Sequence, residues 1–575
     1  MSANDDTVTI KYGSKKRESQ LLKEVRDAYE WHGTTADGTV QYWRLDEEAY
    51  LPDLLESTRR DKWPTGANIL VIGPPGVGKT SLILAMLDDA KSRKLKGRAL
   101  IVQPITTLIE QTVNDYCMHR YQSPGRVLDG MFYDDDVVIM TMAKFIVLLT
   151  KDPYRWKWGE KFHHIFIDES HTVCAAGTYC NYTEKAWVEL NSYHDATVVS
   201  LTATPDVFAD PWYRTVQKKS RTKAYQVGFY YQLPNDFSYL KPNFLYSDDD
   251  VVNMVRNTVE QEKTFIYVDR KKVGQLLAEK INTAFGQPNT AIFVDAATKN
   301  GKLKDFVHET IVNKEFNCKV FISTATCELG LNLVSEAIKN VVVYSTRKDG
   351  IIQAVGRKRV RNGSPVKEEV NLYIVVPKLE HLKERYGRIK EDLCIVNDLK
   401  RHPHKAKEYL ENGSLPKVLY LEEEGNSFTV KTNRLGVLQL KYELQWLNEL
   451  IEGASSETGI EGVYLSWFGL SIPEAVKYSD PALKTMRDSF DSSFQDDIKN
   501  DFSKSKKEEL LKKARKWALE HGAALEPYKL KPDSRGDREV LGISSFNKIL
   551  ALLEIPLEFK QVKEDCWNFV VKGVK

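Results

Sequence analysis

Residues 73–80 read Gly-Pro-Pro-Gly-Val-Gly-Lys-Thr, and residues 168–171 read Asp-Glu-Ser-His. The first stretch fits G-x-x-x-x-G-K-[ST], follows the apolar run ANILVI and opens into the helical SLILAMLDDA. Glycine is needed where backbone N–H groups curl around a phosphate with no Cβ in the way. In such a loop Gly73, Pro74, Pro75, Gly76, Val77 and Gly78 form the cradle. Lys79 reaches the β- and γ-phosphates, and the Thr80 hydroxyl is a ligand for Mg²⁺. Ser81 lies in the helix start, whose positive end faces the anion. The second stretch ends an apolar run in two carboxylates. Alone it would be an ordinary turn, since Asp bonds readily to nearby backbone. With a phosphate cradle upstream, Asp168 reads as a holder of Mg²⁺ and Glu169 as the group that orients or deprotonates a water. The chemistry expected is in-line attack on a γ-phosphate.

Strands must position these groups. Short apolar runs recur at ANILVIG (67–73), RALIVQP (98–104), VVIMTM (137–142), HIFIDES (164–170) and TVVSLTAT (197–204). A second set follows at KTFIYVD (263–269), TAIFVDA (290–296), CKVFIST (318–324), KNVVVYS (339–345) and VNLYIVV (370–376). Near-continuous β-branched runs with helical connectors predict parallel strands covered on both faces. Ligands bind such sheets at the carboxyl ends of the strands. Two sets in series predict two α/β lobes, and the rhythm is missing before residue 67 and beyond about 400.

The 575 residues are 42% hydrophobic and 28% charged, a soluble globular composition with enough apolar material for several domains. A net charge of +2 leaves any nucleic-acid contact to local basic patches. The seven cysteines are scattered and form no CxxC pair, which predicts reduced thiols and a cytoplasmic setting. The N-terminus has no signal-peptide apolar region, and no run is long enough to span a bilayer, so no membrane association is expected.

The chain resembles superfamily 2 helicases and translocases of the DExH type. GPPGVGKTS matches their motif I, DESH motif II and LTAT (201–204) motif III; IVQPITTLIEQ (101–111) resembles motif Ia and VVIMTMAKF (137–145) motif Ic. TFIYVDRK resembles motif IV, STATCELGLNL (323–333) motif V, with Thr324, Gly330 and Asn332 in register, and QAVGRKRVR (353–361) motif VI. The likeness runs over residues 67–377. Motif VI departs from Q-x-x-G-R-x-x-R, because the last position is Val360. Gln353 and Arg357 are in register, and the second arginine finger is either Arg359 or Arg361. The form Q-x-x-G-R-x-R is similar to that of herpesvirus-type origin-binding replication helicases. No Q-motif of the DEAD-box kind lies upstream.

The resemblance implies an α/β fold of two tandem RecA-like lobes, 67–215 and 216–400, with an N-terminal extension 1–66 and a mostly helical accessory domain 401–575. It implies ATP with Mg²⁺ in the cleft, Lys79, Thr80, Asp168 and Glu169 on one side, Arg357 and a neighbour on the other. Gly330 would join the nucleotide site, and His171, Thr202 and Thr204 would link ATP state to the track. The track would be single-stranded DNA or RNA, DNA favoured, held near Pro104, Thr107, Thr141 and Thr324. The alternative is an ATP-gated nucleic-acid clamp that does not unwind.

Other segments carry less. The acidic triplets Asp134–Asp136 and Asp248–Asp250 read as exposed loops. Trp156 and Trp158 alternate with basic residues, an arrangement that suits either base stacking or a packed edge. KSKKEELLKKARKWALEHG (504–522) reads as an amphipathic helix, solvated or facing nucleic acid, and GISSFNKILALLEIP as a helix-turn-helix fragment. A replication or repair partner would dock through 401–575. A chain cut near 400 is expected to keep both lobes and basal ATPase.

Overall fold

The computed structural model describes residues 32–35, 38–45, 51–52, 63–74, 76–122, 125–151, 161–193, 195–221, 228–233, 236–295, 298, 301–324, 331–359, 368–413, 415–424, 427–456, 458–470, 476–477, 489–490, 492–494, 497, 502–520, 543–552, 557–563 and 566–571. By their contacts the described residues up to 244, with 259–476, form one unit, and those of 245–258 with 477–571 form a second.

The first unit is built on two sheets. The first has nine strands: β1 (His32–Thr34), β2 (Val40–Arg44), β3 (Asn68–Ile72), β4 (Arg98–Gln103), β5 (Met131–Tyr133), β6 (Val137–Thr141), β7 (Phe162–Ile167), β8 (Thr197–Thr202) and β9 (Gly228–Gln232), in the order β1-β2-β9-β3-β8-β7-β4-β6-β5. All neighbours pair parallel except β1 with β2 and β5 with β6 at the edges. Every residue of β3, β6 and β8 is buried. That explains their unbroken apolar runs, since helices cover both faces of a parallel sheet. The sheet also takes β1 and β2 from before residue 67 and β9 from beyond 215.

The second sheet contains β10 (Leu240–Leu245), β11 (Lys263–Val268), β12 (Ala291–Val294), β13 (Val320–Ser323), β14 (Ile338–Tyr344) and β15 (Val370–Val375), in the order β12-β13-β11-β14-β15-β10. The pairs from β12 through β15 are parallel. Two consecutive parallel sheets with helical crossovers are the tandem RecA-like arrangement expected.

Helices carry the motifs from these strands. They are α1 (Lys79–Ser92), α2 (Thr106–His119), α3 (Met142–Lys151), α4 (Thr172–Ala176), α5 (Thr183–Leu190), α6 (Ala209–Ser220), α7 (Lys348–Val355), α8 (Leu379–Arg401), α9 (Arg434–Gly453) and α10 (Gly459–Trp467). Beyond residue 400 the chain is not one block. A hairpin (Leu419–Glu424 with Ser427–Thr432), α9 and α10 stay with the lobes, and α9 buries Leu435, Leu444, Trp446, Leu447 and Leu450 in their core.

In the second unit, the helix Lys504–Glu520 buries Leu510, Leu511, Ala514, Trp517 and Ala518, the stripe its spacing predicts. Phe490, Phe494 and Phe546 pack around Trp517 or one another. The helix-turn-helix expectation is corrected: Ile543–Leu552 lies on a three-stranded antiparallel sheet. There the Asn547 side chain bonds both the N–H and the carbonyl of Phe559. Asp248–Asp250 are corrected as well. They form the first turn of the helix Asp248–Asn257, capped by the Ser247 side chain, where carboxylates complement the helix dipole. Asp134–Asp136 do lie in a connection between strands. Trp156 and Trp158 lie outside the described residues.

Candidate active site

The loop after β3 turns into α1 through two glycines in left-handed backbone, Gly76 (φ +97°) and Gly78 (φ +88°). Side chains at either position would be strained. The loop hangs on the sheet by Gly73 N–H donating to the Thr202 carbonyl at 3.0 Å, at the level where Ile72 pairs with Thr202. Pro74, Val77, Thr80 and Ser81 line the turn half-buried, and Pro75 lies outside the described residues. The Lys79 ammonium folds back to donate to the Gly73 carbonyl at 3.0 Å. Burial of that end lowers its pKa, offset in part by the charges of Glu169 and Asp168.

Two strands away, β7 delivers Asp168 and Glu169 at the same edge. Both are buried. Asp168 accepts from Gln103 Nε2 at 3.0 Å and from the Glu169 N–H at 3.0 Å. Gln103, the last residue of β4, also donates to Thr112 Oγ1 at 2.8 Å, which fixes its amide. Burial, then the Glu169 charge, pushes the Asp168 carboxyl up to about 6. Glu169 goes the other way. Burial raises it, but Lys79, then His171 and the two arginines described below, outweigh that and hold it under the ordinary range. Its backbone is left-handed, at φ +47°.

His171 is buried, and burial lowers its pKa, offset in part by the charges of Glu169 and Asp349. Its Nδ1 lies 3.1 Å from Thr202 Oγ1, which in turn accepts from the Thr204 N–H at 3.1 Å. Motifs II and III therefore share one chain of hydrogen bonds. The Thr204 hydroxyl is buried without a hydrogen-bond partner. Thr204, Asp206, Lys348 and Trp446 help line a cavity of about 160 Å³ beside His171.

The second lobe meets this edge through α7 and the turn after it. Gln353 Nε2 donates to Glu169 Oε2 at 3.4 Å, while its Oε1 accepts from Arg357 Nη2 at 2.9 Å. Arg357 Nη2 lies 3.7 Å from Glu169 Oε1. Arg359 is held differently: its Nε and Nη2 both donate to Asn332 Oδ1, at 3.0 and 2.6 Å. Backbone bonds between Leu333 and both Arg357 and Arg359 (2.8 Å each) lock motif V to motif VI. Arg359 Nη1 then reaches over the phosphate loop, 3.5 Å from where a Cβ on Gly76 would stand. Burial, then Arg357, pulls its guanidinium down to about 9, still protonated at neutral pH.

The arrangement fits a polyphosphate. Arg357 Nε and Arg359 Nη1 are buried without hydrogen-bond partners, beside a cradle that a Cβ on Gly73 would crowd, 2.8 Å from Val77. Unpaired buried donors of this kind ask for an anion. Thr80 and Asp168 offer the hard oxygen donors that suit Mg²⁺.

The residues expected on a nucleic-acid path follow strands of both sheets. Pro104 and Thr107 follow β4, Thr141 ends β6, and Thr324 follows β13. Thr107 is buried, and the Thr141 hydroxyl accepts from the Lys144 N–H at 3.0 Å, capping α3. Gly330 and Arg361 lie outside the described residues. Gln103 was missed as a site residue, although a polar amide ending an apolar strand beside the motif II strand was a signal for it.

Residues 39–207 match the model of the family ResIII, described as "Type III restriction enzyme, res subunit". Among solved structures the chain is similar to Saccharomyces cerevisiae Dbp5 bound to RNA and ADP BeF3: 15% identity, 54% of this chain and 80% of that one, TM-score 0.40. It is also similar to the Mycobacterium smegmatis helicase Lhr bound to ssDNA and AMP-PNP, with 16% identity and a TM-score of 0.37. That likeness covers 59% of this chain and 49% of Lhr. No curated protein matches the chain. The two-lobe fold rests on the sheets themselves, and over residues 39–207 the chain is similar to a superfamily 2 helicase-like family.

Proposed function

We propose that the chain is an ATP-driven motor on nucleic acid, a helicase or translocase that hydrolyses ATP in the cleft between its lobes. The observation that carries this is the meeting of Glu169 with Gln353 and Arg357 from the other lobe, while Arg359 stands over the phosphate loop. Lys79 binds the β- and γ-phosphates. Glu169 accepts a proton from water, the hydroxide oxygen bonds to the γ-phosphorus, and the bond to the β-bridging oxygen breaks with its electrons going to ADP. Arg357 and Arg359 stabilise the charge that builds on the transferring oxygens. Thr80 and Asp168 would hold Mg²⁺, which neutralises phosphate charge when bound.

The His171–Thr202–Thr204 chain gives the hydrolytic edge a physical link to motif III. Pro104, Thr107, Thr141 and Thr324 are the proposed backbone-holding positions for a single strand. The restriction-enzyme match supports DNA over RNA as the track, and a replication or repair partner would dock through residues 401–575. The free cysteines among the described residues fit a reducing cytoplasm. ATPase measured alone and with ssDNA, dsDNA or RNA tests the reading, with strand displacement run in parallel. Stimulation by one polymer supports it. ATPase indifferent to all three defeats it, and stimulation without displacement leaves translocation or a gated clamp.

A further inference from the structure

Helix α9 touches both lobes. At its start Asn433 caps it, accepting from the Gly436 N–H at 3.2 Å. The Asn433 Nδ2 donates to the Cys180 carbonyl and Thr183 Oγ1, 2.8 Å each, in the segment after motif II. Arg434 bonds Glu184 through both its backbone N–H (2.7 Å) and Nε (2.5 Å). The backbones of Gly177 and Gly436 press together so closely that a Cβ on Gly436 would lie 2.1 Å from the Gly177 oxygen. This end belongs to the first lobe.

Further along, Glu443 belongs to the second. Its Oε2 accepts from Arg385 Nη2 at 3.0 Å, and its Oε1 lies 3.9 Å from Arg347 Nε. Arg347 grips Asp349 with two parallel bonds, 3.1 and 2.8 Å. Asp349 is buried in the first turn of α7, the helix that carries Gln353 and delivers Arg357. Nearby, α10 anchors to the same lobe, its Tyr464 hydroxyl donating to the Ser345 carbonyl at 2.9 Å. One rigid helix thus fixes where the arginine helix stands relative to the motif II segment. Asp349 is buried and the charges that hold it are partly buried, so losing one partner disturbs the geometry of the rest.

We infer that α9 is a tie setting the arginine helix against the Glu169 carboxylate, with Glu443 a positioning residue that acts through Arg347 and Asp349. The inference rests on the hydrolytic reading above for its kinetic test only. Glu443 touches neither substrate nor reacting atoms. Loss of its charge lets α7 shift, and a shift near 1 Å in a reacting group is enough to slow chemistry by up to about 10²-fold.

In the full chain, Glu443→Ala and the isosteric Glu443→Gln should lower kcat for ATP by about tenfold or more with little change in KM. In an Arg357→Ala background, Glu443→Ala should cost less than it does alone, because much of its effect passes through that arginine, with a remainder through Gln353 and Arg359. Multiplying losses, or wild-type kcat in both Glu443 variants, would overturn the inference. A second readout does not need turnover. Fluorophores at the exposed Val188 and Leu276 report interlobe distance, and Glu443→Gln should broaden it. An unchanged distribution defeats the tie even if ATPase is absent. Silent Lys79→Ala and Arg357→Ala variants would instead defeat the hydrolytic reading and leave the distance test standing.

Discussion

The Arg359 guanidinium spans from Asn332, which it bonds twice, to a point over Gly76 in the phosphate loop. We propose Arg359 as the second finger, a role the sequence left open between residues 359 and 361, of which Arg361 lies outside the described residues. Arg359→Ala and Arg357→Ala should each lower kcat on the order of 10³-fold while ATP affinity changes far less, as steady-state kinetics beside nucleotide titration will read. Arg359→Lys should not rescue, because an ammonium cannot present two fixed donors to Asn332. Tight ATP binding lost together with kcat would assign Arg359 to ground-state binding instead.

Lys79→Ala should abolish turnover and weaken ATP binding, since it removes the cation on the β- and γ-phosphates. Glu169→Gln should keep binding and lose ~10²-fold or more in turnover, the usual size of a missing general base. Equal loss of binding in both variants would make Glu169 structural.

Asp168 gives a pH signature. Its pKa is raised from 3.8 to about 6, so the ligand-free fold binds its proton more tightly than the unfolded chain does. The stability it contributes is fully present below pH 3.8 and is lost as pH rises through about 6. Melting temperatures from pH 4 to 8 should show Asp168→Asn gaining on the parent as pH rises from 4 to about 6, then levelling off. A constant difference across that range would show that the carboxyl titrates normally.

Sequence periodicity located ten of the strands from β3 to β15, because strands buried on both faces are unbroken apolar runs. It passed over β2 and β9, whose VQYWR and GFYYQ mix polar and aromatic residues at the sheet's edge side. The phosphate loop and the Asp-Glu pair were legible because their spacing is local. The grip of Asn433 on Thr183 joins residues 250 positions apart, and no local pattern encodes such a pairing.

That pairing changes the expectation for truncation. A chain cut near 400 would strip α9 and α10 from the lobes and expose the surfaces that cover Trp446, Leu450 and Tyr464. It should aggregate, whereas a chain ending after 476 should stay soluble and keep basal ATPase. Size-exclusion chromatography of the two, with ATPase on the longer one, decides the matter.

Gly436→Ala should destabilise at the upper end of the roughly 1–3 kcal/mol seen for overpacking, because the new Cβ meets backbone and not a flexible side chain. Denaturant unfolding measures it. A loss within error of zero would mean that the Gly177–Gly436 approach is loose.

The left-handed backbone at Glu169 has an evolutionary consequence. A non-glycine residue in that region costs on the order of 1–2 kcal/mol, and here the residue also buries a carboxylate. Glycine at 169 would relax the twist and remove the charge together. On the proposed hydrolytic role, durability and catalysis pull this position in opposite directions. A population of variants selected for heat resistance alone should drift away from glutamate here, and only selection that demands turnover would keep it.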